Sequence, residues 1–461
     1  MCDPELEIQL NQESGARSLS TWLVRRLLVA WVMFGSLFAV LGLLLWLQLG
    51  VTTRLEGLDF MSFYATSKVL LTAGPSHLYD LAAQQRAQAS LLPGSRPFLP
   101  DLYPPYWVLA RFWLALLPLG WAYLAWGALT IAATAGSLVL LARIAGLDSW
   151  RSWPVLTAAG FAPLLVNLIQ GQSVAFVLLG IVLALWFRSR GRDLPAGAAL
   201  SLILIKPQVG FLVLALLLLK PSARALVGFA AAAAAMLVGS LAVFGAGGVT
   251  AWLKLLTEDS GTFFRPWLSL RSPLVAAGLA GWEQYLVLAA LAAGLLAVIV
   301  VTRLDLRRSF AVATAGSLLV GPHVNVHDLG LLVIPGLLLL GAARGRSVVA
   351  VAYFGAVAAI WFAPAAWLAE LVLIWLALQP GARSLLGDIG PQPPGGPGVE
   401  RDPDQLEGER DHRHRHSGDQ HRVELVALDV EPGGRQDLAQ LGRGGERVAR
   451  RRSQAPILDQ H

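Results

Sequence analysis

The sequence predicts an all-α polytopic membrane helix bundle of about twelve transmembrane helices, followed by a disordered C-terminal tail. Hydrophobic residues make up 55% of the 461 residues and charged residues only 14%, whereas soluble domains contain about 25% charged residues. Between residues 27 and 380, long apolar stretches alternate with short Arg clusters, as in chains that cross a membrane repeatedly. The composition then changes abruptly after residue 380.

The tail differs from the rest of the chain in its aromatic and charged residues. From Arg383 onward there is no Phe, Trp, Tyr or Lys, but there are 12 Arg, 14 Asp or Glu and five of the eight His. Such a segment cannot bury enough apolar surface to fold. We therefore expect a cytoplasmic N-terminal segment (1–26), a transmembrane domain (27–380) and a disordered cytoplasmic tail (381–461). A translated frameshift is the alternative explanation of the tail.

The N-terminal residues indicate a membrane anchor with its start in the cytoplasm. The apolar run 27–49 follows Arg25 and Arg26, and it is too long for the apolar region of a signal peptide. Cys2 is the only cysteine, which excludes an intrachain disulfide and a cysteine metal site. The excess of basic residues in the membrane part suits the cytoplasmic ends of membrane helices better than nucleic acid.

The later crossings are placed by the Arg clusters that mark their cytoplasmic ends. The predicted segments are 27–49, 121–142, 154–168, 173–187, 195–205, 207–219, 225–244, 284–302, 309–321, 328–342, 347–363 and 366–379. Three pairs of them form hairpins with polar tips, at Gln170 to Gln172, Lys206 to Gln208 and His323 to Asp328. All three tips are predicted to face outward, and a site on that face is the simplest interpretation.

Two long outer loops, 50–120 and 245–283, complete this topology. Within the first loop, the run 60–73 has a helical pattern, and the stretch 104–118 is apolar but short and contains Arg111. We interpret 104–118 as an interfacial or re-entrant helix, since a crossing there would place every later Arg cluster outside.

Lys206 is the most informative polar residue in the membrane part, because it interrupts an otherwise apolar stretch. Inserting an ammonium at membrane depth costs roughly 2.5–3.5 kcal/mol, and such groups usually face a cavity and a counter-ion. One interpretation is that Lys206 binds an anionic group such as a phosphate. The alternative is a lysine that caps a short helix and extends its ammonium to the outer headgroups.

The tip that contains His323 and His327 has two open interpretations. Imidazoles bind metals, transfer protons or donate to phosphate, but Pro322 favours a turn, and two histidines alone are weak evidence for a metal. The alternative is a hydrogen-bonded polar turn. In the second outer loop, Arg265 or Arg271 is a candidate to clamp a phosphate, although exposed arginines usually have no specific role.

Asp59 precedes the helical run of the first outer loop. Its simplest role is that of a helix N-cap. The other role is that of a general base, because partial burial at a membrane surface raises the pKa of a carboxylate. The aromatic residues from Tyr103 to Trp107 suit the belt of side chains at lipid headgroups. No P-loop, Gly-x-Ser-x-Gly or His-Glu-x-x-His motif occurs, and the membrane part has no Asp-x-Asp pair.

An ordered set of motifs resembles glycosyltransferase family 87 over residues 55–380. The motifs are Asp59-Phe-x-x-Phe-Tyr64, Leu78-Tyr-Asp80, Tyr103-Pro-Pro105, Leu116-Leu-Pro118, Ala122-Tyr-x-x-Trp126, Asn167-x-x-x-Gly171-Gln172, Ile205-Lys-Pro-Gln208 and Gly321-Pro-His323 with a following Asp328. Each motif alone is loose, and their order makes the set specific. The segment Val-Asn-Val-His-Asp after His323 departs from the family pattern, which leaves the role of His327 open.

The resemblance implies a GT-C type helix bundle in the cell membrane with its active site on the outer face. It implies inverting transfer of a sugar, mannose at family level, from a polyprenyl-phosphate donor to a lipid or glycan acceptor, without a metal or other cofactor. Asp59 would be the catalytic base, and the residues at the donor phosphate would be Lys206, His323 and Arg265. The substrate cavity would include Tyr64, Tyr103, Gln172, Gln208, His327 and Asp328. The competing class is a multi-pass transporter or lipid flippase, which more typically has an internal repeat and charges spread through the bilayer midplane.

Overall fold

The computed structural model describes residues 26, 29–30, 32–91, 98–147, 155, 158–258, 268–342 and 366–378. Every regular element among these residues is helical, and they include no strand, which confirms the all-α prediction. Four described helices are long and apolar enough to cross a membrane. They coincide with the predicted segments 27–49, 121–142, 225–244 and 284–302. The count of twelve crossings, their orientation and the GT-C type remain predictions.

The α-helices are numbered here in chain order. They are α1 (Val32–Thr52), α2 (Asp59–Thr72), α3 (Leu81–Leu91), α4 (Pro105–Arg111), α5 (Leu119–Ala145), α6 (Ala162–Gln170), α7 (Val174–Arg188), α8 (Asp193–Leu200), α9 (Phe211–Leu219), α10 (Ala223–Glu258), α11 (Arg271–Ala276), α12 (Glu283–Val301), α13 (Leu306–Leu319), α14 (Val333–Ala342) and α15 (Ala366–Leu378). Short 3₁₀ helices lie at Pro75–His77, Phe112–Leu116, Ser201–Ile205, Pro207–Val209 and Val326–Leu332. Buried apolar side chains of α5, α7, α13 and α14 contribute much of one continuous core.

The first outer loop is largely helical. Helix α2 occupies the predicted run 60–73 almost residue for residue, and α4 with the following 3₁₀ helix fills the stretch 104–118. Pro105 starts α4 at a position where a helix leaves the backbone N–H unpaired in any case. The eight residues from Phe60 to Ser67 are buried on all sides of α2. This helix is therefore a packed element rather than a surface one.

Each of the three predicted polar tips joins two helices. The first tip includes the break between α6 and α7, and the second includes the break at Lys206 between the 3₁₀ helices Ser201–Ile205 and Pro207–Val209. The third begins between α13 and the 3₁₀ helix Val326–Leu332 and extends into that 3₁₀ helix. The chain therefore interrupts its helices at the three places where the sequence has polar residues within apolar stretches. The predicted segment 347–363 and the tail 381–461 lie outside the described residues.

The segment 245–283, predicted as an outer loop, begins with a helix. Helix α10 consists of two helices joined by a kink at Gly245, whose φ of 64° and ψ of 179° are not helical. A positive φ of this kind favours glycine, so the first helix ends at Gly245, next to the end of the predicted segment 225–244. The part after the kink packs on the first outer loop, where Leu255 joins an apolar cluster with Leu78 and Val108.

Candidate active site

A cavity of about 350 Å³ lies where the first outer loop meets the three polar tips. The residues that line it are Asp59, Ser62, Phe63, Leu99, Pro100, Leu102, Tyr103, Pro104, Gln172, Ile205, Lys206, Pro207, Gln208, Trp252, Leu256, His323 and Asn325. Polar side chains from four separate stretches of the chain therefore meet in one space. A concave site with a few convergent polar groups is the usual form of a small-molecule site.

Asp59 is the first residue of α2, and its carboxylate does not cap the helix. The cap position is Leu58, which has no side-chain capping bond. The Oδ2 atom of Asp59 instead accepts a hydrogen bond from Nε2 of Gln172 at 2.6 Å. Its backbone N–H donates to Oε1 of Gln170 at 3.2 Å. The N-cap interpretation is thus wrong, because both polar ends of Asp59 are bound to the first tip.

The environment of Asp59 makes its carboxyl a stronger base than one in water. Burial raises the pKa of Asp59 above its ordinary value of 3.8. The Gln172 hydrogen bond and the Lys206 ammonium act in the opposite direction, and the charge of Asp328 adds to the effect of burial. A general base works better when its pKa lies closer to the working pH, so this shift favours the role of a base.

The first tip is built to bring Gln172 close to α2. Gly171 has φ 69°, and a Cβ atom there would lie 2.7 Å from Cβ of Phe60. Only glycine accommodates both the positive φ and the close approach to Phe60 without strain. Tyr123 donates to the Ile169 carbonyl at 2.8 Å, and Nε1 of Trp126 donates to the Gly171 carbonyl at 2.7 Å. Two buried aromatic residues of α5 therefore hold the backbone of the first tip in place.

Tyr103 connects the first tip to a buried ion pair. Its hydroxyl donates to Oε1 of Gln172 at 2.7 Å and accepts from Oγ of Ser173 at 2.8 Å. Its backbone N–H donates to Oδ1 of Asp101 at 3.1 Å, and Asp101 pairs with Arg111. Both charged side chains are fully buried, so the segment before α4 is anchored inside the protein.

Lys206 is buried and paired, and it does not extend to the surface. Its Nζ donates to Oδ1 of Asp328 at 2.6 Å and lies 2.9 Å from Nε2 of His327. The Lys206 side chain is 7% exposed and that of Asp328 is not exposed. A lysine ammonium has three N–H donors, and these contacts use two of them. Because Lys206 also lines the cavity, one donor remains for a bound anion.

His323 lies in the turn between α13 and the following 3₁₀ helix. Its Nε2 lies 3.2 Å from Nδ2 of Asn325, which is a donor. Burial, with the nearby Lys206 ammonium, lowers the pKa of His323 to about 4. The imidazole is therefore neutral at physiological pH. Arg271 holds the turn, because it donates to the Pro322 carbonyl at 2.8 Å and to Oε1 of Gln284 at 2.9 Å.

The structure brings most of the predicted site residues together. Those that line the cavity are Asp59, Tyr103, Gln172, Lys206, Gln208 and His323. His327 and Asp328 contact Lys206 and are not among the lining residues. Tyr64 is buried away from the lining, with its hydroxyl donating to the Leu117 carbonyl at 2.8 Å. Arg265 lies outside the described residues, and the described residues contain no group of three or more His, Cys, Asp or Glu that could hold a metal.

Sequence reasoning missed part of the lining. Trp252 and Leu256 are four residues apart on the helical continuation after Gly245, so they share one face of the helix. That spacing was visible in the sequence but was obscured by the loop prediction. Asn325 lies inside the third tip, where the predicted site residues were His323, His327 and Asp328. No local sequence pattern predicts the pairing of Asp101 with Arg111, because the two residues are ten positions apart and belong to no common helix.

One comparison with known proteins identifies the family. The sequence pattern of glycosyltransferase family 87 matches residues 102–335, just over half of the chain. No curated protein matches the chain, and no solved structure matches it. The matched region contains both Lys206 and His323, and it begins after Asp59. A match of this extent means that the chain belongs to glycosyltransferase family 87 and is a membrane glycosyltransferase.

Proposed function

We propose that this glycosyltransferase transfers a sugar, mannose, from a polyprenyl-phosphate donor to a hydroxyl of a lipid or glycan acceptor on the outer face of the cell membrane. Family membership supplies the reaction class. The single observation that carries the finer proposal is the cavity that contains Asp59, Lys206 and His323 together. A carboxylate of raised pKa and an ammonium with a spare donor are the two groups that a displacement at a sugar phosphate needs.

Asp59 acts as the general base in one displacement step. Its carboxylate takes the proton from the acceptor hydroxyl as the hydroxyl oxygen forms a bond to the anomeric carbon. The bond between that carbon and the donor phosphate oxygen breaks, and its electron pair leaves with the polyprenyl phosphate. Attack from the face opposite the phosphate inverts the anomeric configuration. Burial of Asp59, which raises the pKa of its carboxyl, favours this proton transfer.

Lys206 stabilises the charge that develops on the departing phosphate. Its ammonium keeps one N–H for the phosphate, while Asp328 and His327 hold the other two. Donors fixed before the reaction lower the barrier because they need no reorganisation as the charge appears. His323 supplies a second, neutral contact to the same phosphate, and we assign Gln208 to the sugar side of the cavity.

The remaining wall of the cavity suits an isoprenoid chain. Leu99, Pro100, Leu102, Trp252 and Leu256 line it, and Nε1 of Trp252 donates to the Leu102 carbonyl at 3.0 Å. Because that bond occupies the only donor of the indole, Trp252 offers the cavity an apolar ring. A donor that combines a phosphate with an apolar tail matches a cavity with one polar and one apolar wall.

The substitution Asp59→Asn tests the proposal. Loss of a general base lowers the rate by about 10²–10⁴-fold, so transfer from radiolabelled polyprenyl-phosphate mannose to extracted membrane lipids should fall by that factor. Glu56→Gln is the matched control, since Glu56 is an exposed carboxylate three residues away, and it should keep wild-type transfer.

Unchanged transfer by Asp59→Asn would refute the assignment of the base. A transporter or flippase, the competing class, predicts movement of the intact labelled lipid across sealed vesicles and no new glycosidic product. Appearance of labelled product in wild-type membranes, with no net movement of the donor, separates the two classes.

A further inference from the structure

We infer that Tyr103 and Gln172 are positioning residues, which form a one-way chain of hydrogen bonds that starts at Ser173 and ends on Asp59. The chain presents an N–H donor to the Asp59 carboxylate and holds that carboxylate in one orientation. This inference rests on the proposed role of Asp59 as the base, and it assigns to two cavity residues a task other than substrate contact.

The direction of the chain follows from the proton count of each group. Ser173 Oγ donates to the Tyr103 hydroxyl at 2.8 Å, and that hydroxyl donates to Oε1 of Gln172 at 2.7 Å. A tyrosine hydroxyl has a single proton, and burial raises the pKa of Tyr103 and so keeps that proton in place. Since the hydroxyl accepts from Ser173, its own proton is available for Gln172.

The orientation of the Gln172 amide then fixes the hydrogen bond to the base. An amide carries its oxygen on one side and its NH₂ group on the other, and the hydrogen-bond network decides which way it points. With Oε1 directed to Tyr103, Nε2 is directed to Oδ2 of Asp59 at 2.6 Å. An N–H donor stabilises the ionised carboxylate rather than the protonated acid. The opposite orientation of the amide would favour a protonated Asp59.

Tyr103 is itself held from both sides of its backbone. Its N–H donates to Asp101, and its carbonyl accepts from the Tyr79 hydroxyl at 2.9 Å. Asp101 is paired with Arg111, whose guanidinium lies 4.1 Å from the ring centre of Phe63. The Phe63 ring in turn packs edge to face on Tyr103 with centroids 5.1 Å apart. The buried ion pair therefore fixes the residue that orients the amide.

The other charged groups around Asp59 do not supply this control. The Lys206 ammonium favours ionised Asp59, while Asp328 opposes it and is paired with that same ammonium. His323 lines the same cavity and is neutral at physiological pH. The Gln172 amide is the one neutral group hydrogen-bonded to the Asp59 carboxylate among the described residues. The Tyr103 hydroxyl alone therefore sets the orientation of the Gln172 amide and, through it, the hydrogen bond to Asp59.

Tyr103→Phe removes that hydroxyl and leaves the ring in place. We expect kcat for mannose transfer from polyprenyl-phosphate mannose to fall by about tenfold, because the Gln172 amide is freed to turn and the hydrogen bond that it donates to the Asp59 carboxylate is weakened. KM for the donor should change little, and the acid limb of the pH profile should move up by about one pH unit. Gln172→Glu should move the limb further in the same direction, because two neighbouring carboxylates share one proton.

Tyr123→Phe is the matched control. It also removes one buried tyrosine hydroxyl that donates to a neighbour of the first tip, the Ile169 carbonyl. A purely structural effect of this kind lowers the amount of active protein and leaves the acid limb where it is in the wild type.

Infrared difference titration reads the Asp59 carboxyl directly, without substrate, as the acid band that disappears in Asp59→Asn. The inference requires this band to titrate at higher pH in Tyr103→Phe and Gln172→Glu than in the wild type. Wild-type titration and a wild-type acid limb in both variants would overturn the inference while leaving the proposed function intact. Full transfer by Asp59→Asn would overturn the proposed base, and the role of the chain in catalysis with it.

Discussion

Replacing Lys206 by Met should destabilise the protein and abolish sugar transfer. A second substitution at Asp328 should recover part of the stability but none of the transfer. Lys206 and Asp328 form a buried pair with a 2.6 Å contact, and the Asp328 side chain is completely buried. Removing one member leaves the other charge without its partner, which costs about 3–5 kcal/mol. The second contact of Lys206, with His327 at 2.9 Å, adds to that loss.

The double variant Lys206→Met/Asp328→Asn removes both charges at once. An amide at position 328 still offers an oxygen to the backbone N–H of Asn325, which donates to Oδ2 of Asp328 at 2.8 Å. We therefore expect the double variant to be more stable than Lys206→Met by about 2 kcal/mol, a coupling energy typical of groups in direct contact. Transfer should remain lost, because the phosphate would still meet no ammonium.

The assay is unfolding in mixed micelles titrated with dodecyl sulfate, run in parallel with transfer of labelled sugar. Lys220→Met is the control, because the ammonium of Lys220 donates to the Leu304 carbonyl at 2.6 Å and is half-buried. Its loss should cost about 1 kcal/mol. The single variant Asp328→Asn is measured as well. If its loss of stability and that of Lys206→Met simply add up in the double variant, the pairing is refuted, and an active Lys206→Met would refute the phosphate role.

Three further predictions concern the carboxylate, the tip and the buried ion pair. The acid limb of the pH–rate profile should lie above 3.8, since burial raises the pKa of Asp59 and protonation removes the base. No second limb from His323 should follow at 6.5, because its pKa is lowered to about 4; a limb at 6.5 that His323→Gln removes would contradict this. Gly171→Ala should lower transfer at least tenfold in the same assay, since the new Cβ meets Phe60 at 2.7 Å and a misplaced catalytic group costs about 10²-fold. Arg111→Met should destabilise the protein by about 3–5 kcal/mol in the micelle titration, because it leaves Asp101 buried without its cation, and unchanged stability would show that the pair contributes nothing.

Sequence patterns were enough to predict the parts of the site where polar residues interrupt apolar stretches. Lys206 and the tips around Gln172 and His323 are easy to recognise within apolar segments. A polar group at membrane depth is energetically unfavourable, so it usually has a functional or structural role. The topology placed these tips on one side, and the structure has residues of all three in one cavity. The family resemblance, now confirmed, added weight to Asp59 that its position before a helix alone did not provide.

The rest depended on long-range packing that no local pattern encodes. Glycines at 247 and 248 disfavour a helix by propensity, yet a helix follows the kink at Gly245, and its Leu255 packs against Leu78 and Val108. Tyr64 and Tyr103 are both aromatic residues of the family-like motifs, yet only Tyr103 reaches the cavity. The Asp101–Arg111 pair holds the backbone of Tyr103 at the cavity. The hydroxyl of Tyr64 is bound instead by the Leu117 carbonyl, 53 residues further along the chain.

The most direct test of the central claim is a structure of Asp59→Asn with polyprenyl-phosphate mannose bound. The account predicts a phosphate oxygen about 2.8 Å from Nζ of Lys206, the length of a charge-assisted hydrogen bond. It also predicts that the anomeric carbon faces residue 59 from the side opposite the phosphate. A phosphate bound away from Lys206, or a sugar whose anomeric carbon points away from residue 59, would contradict it.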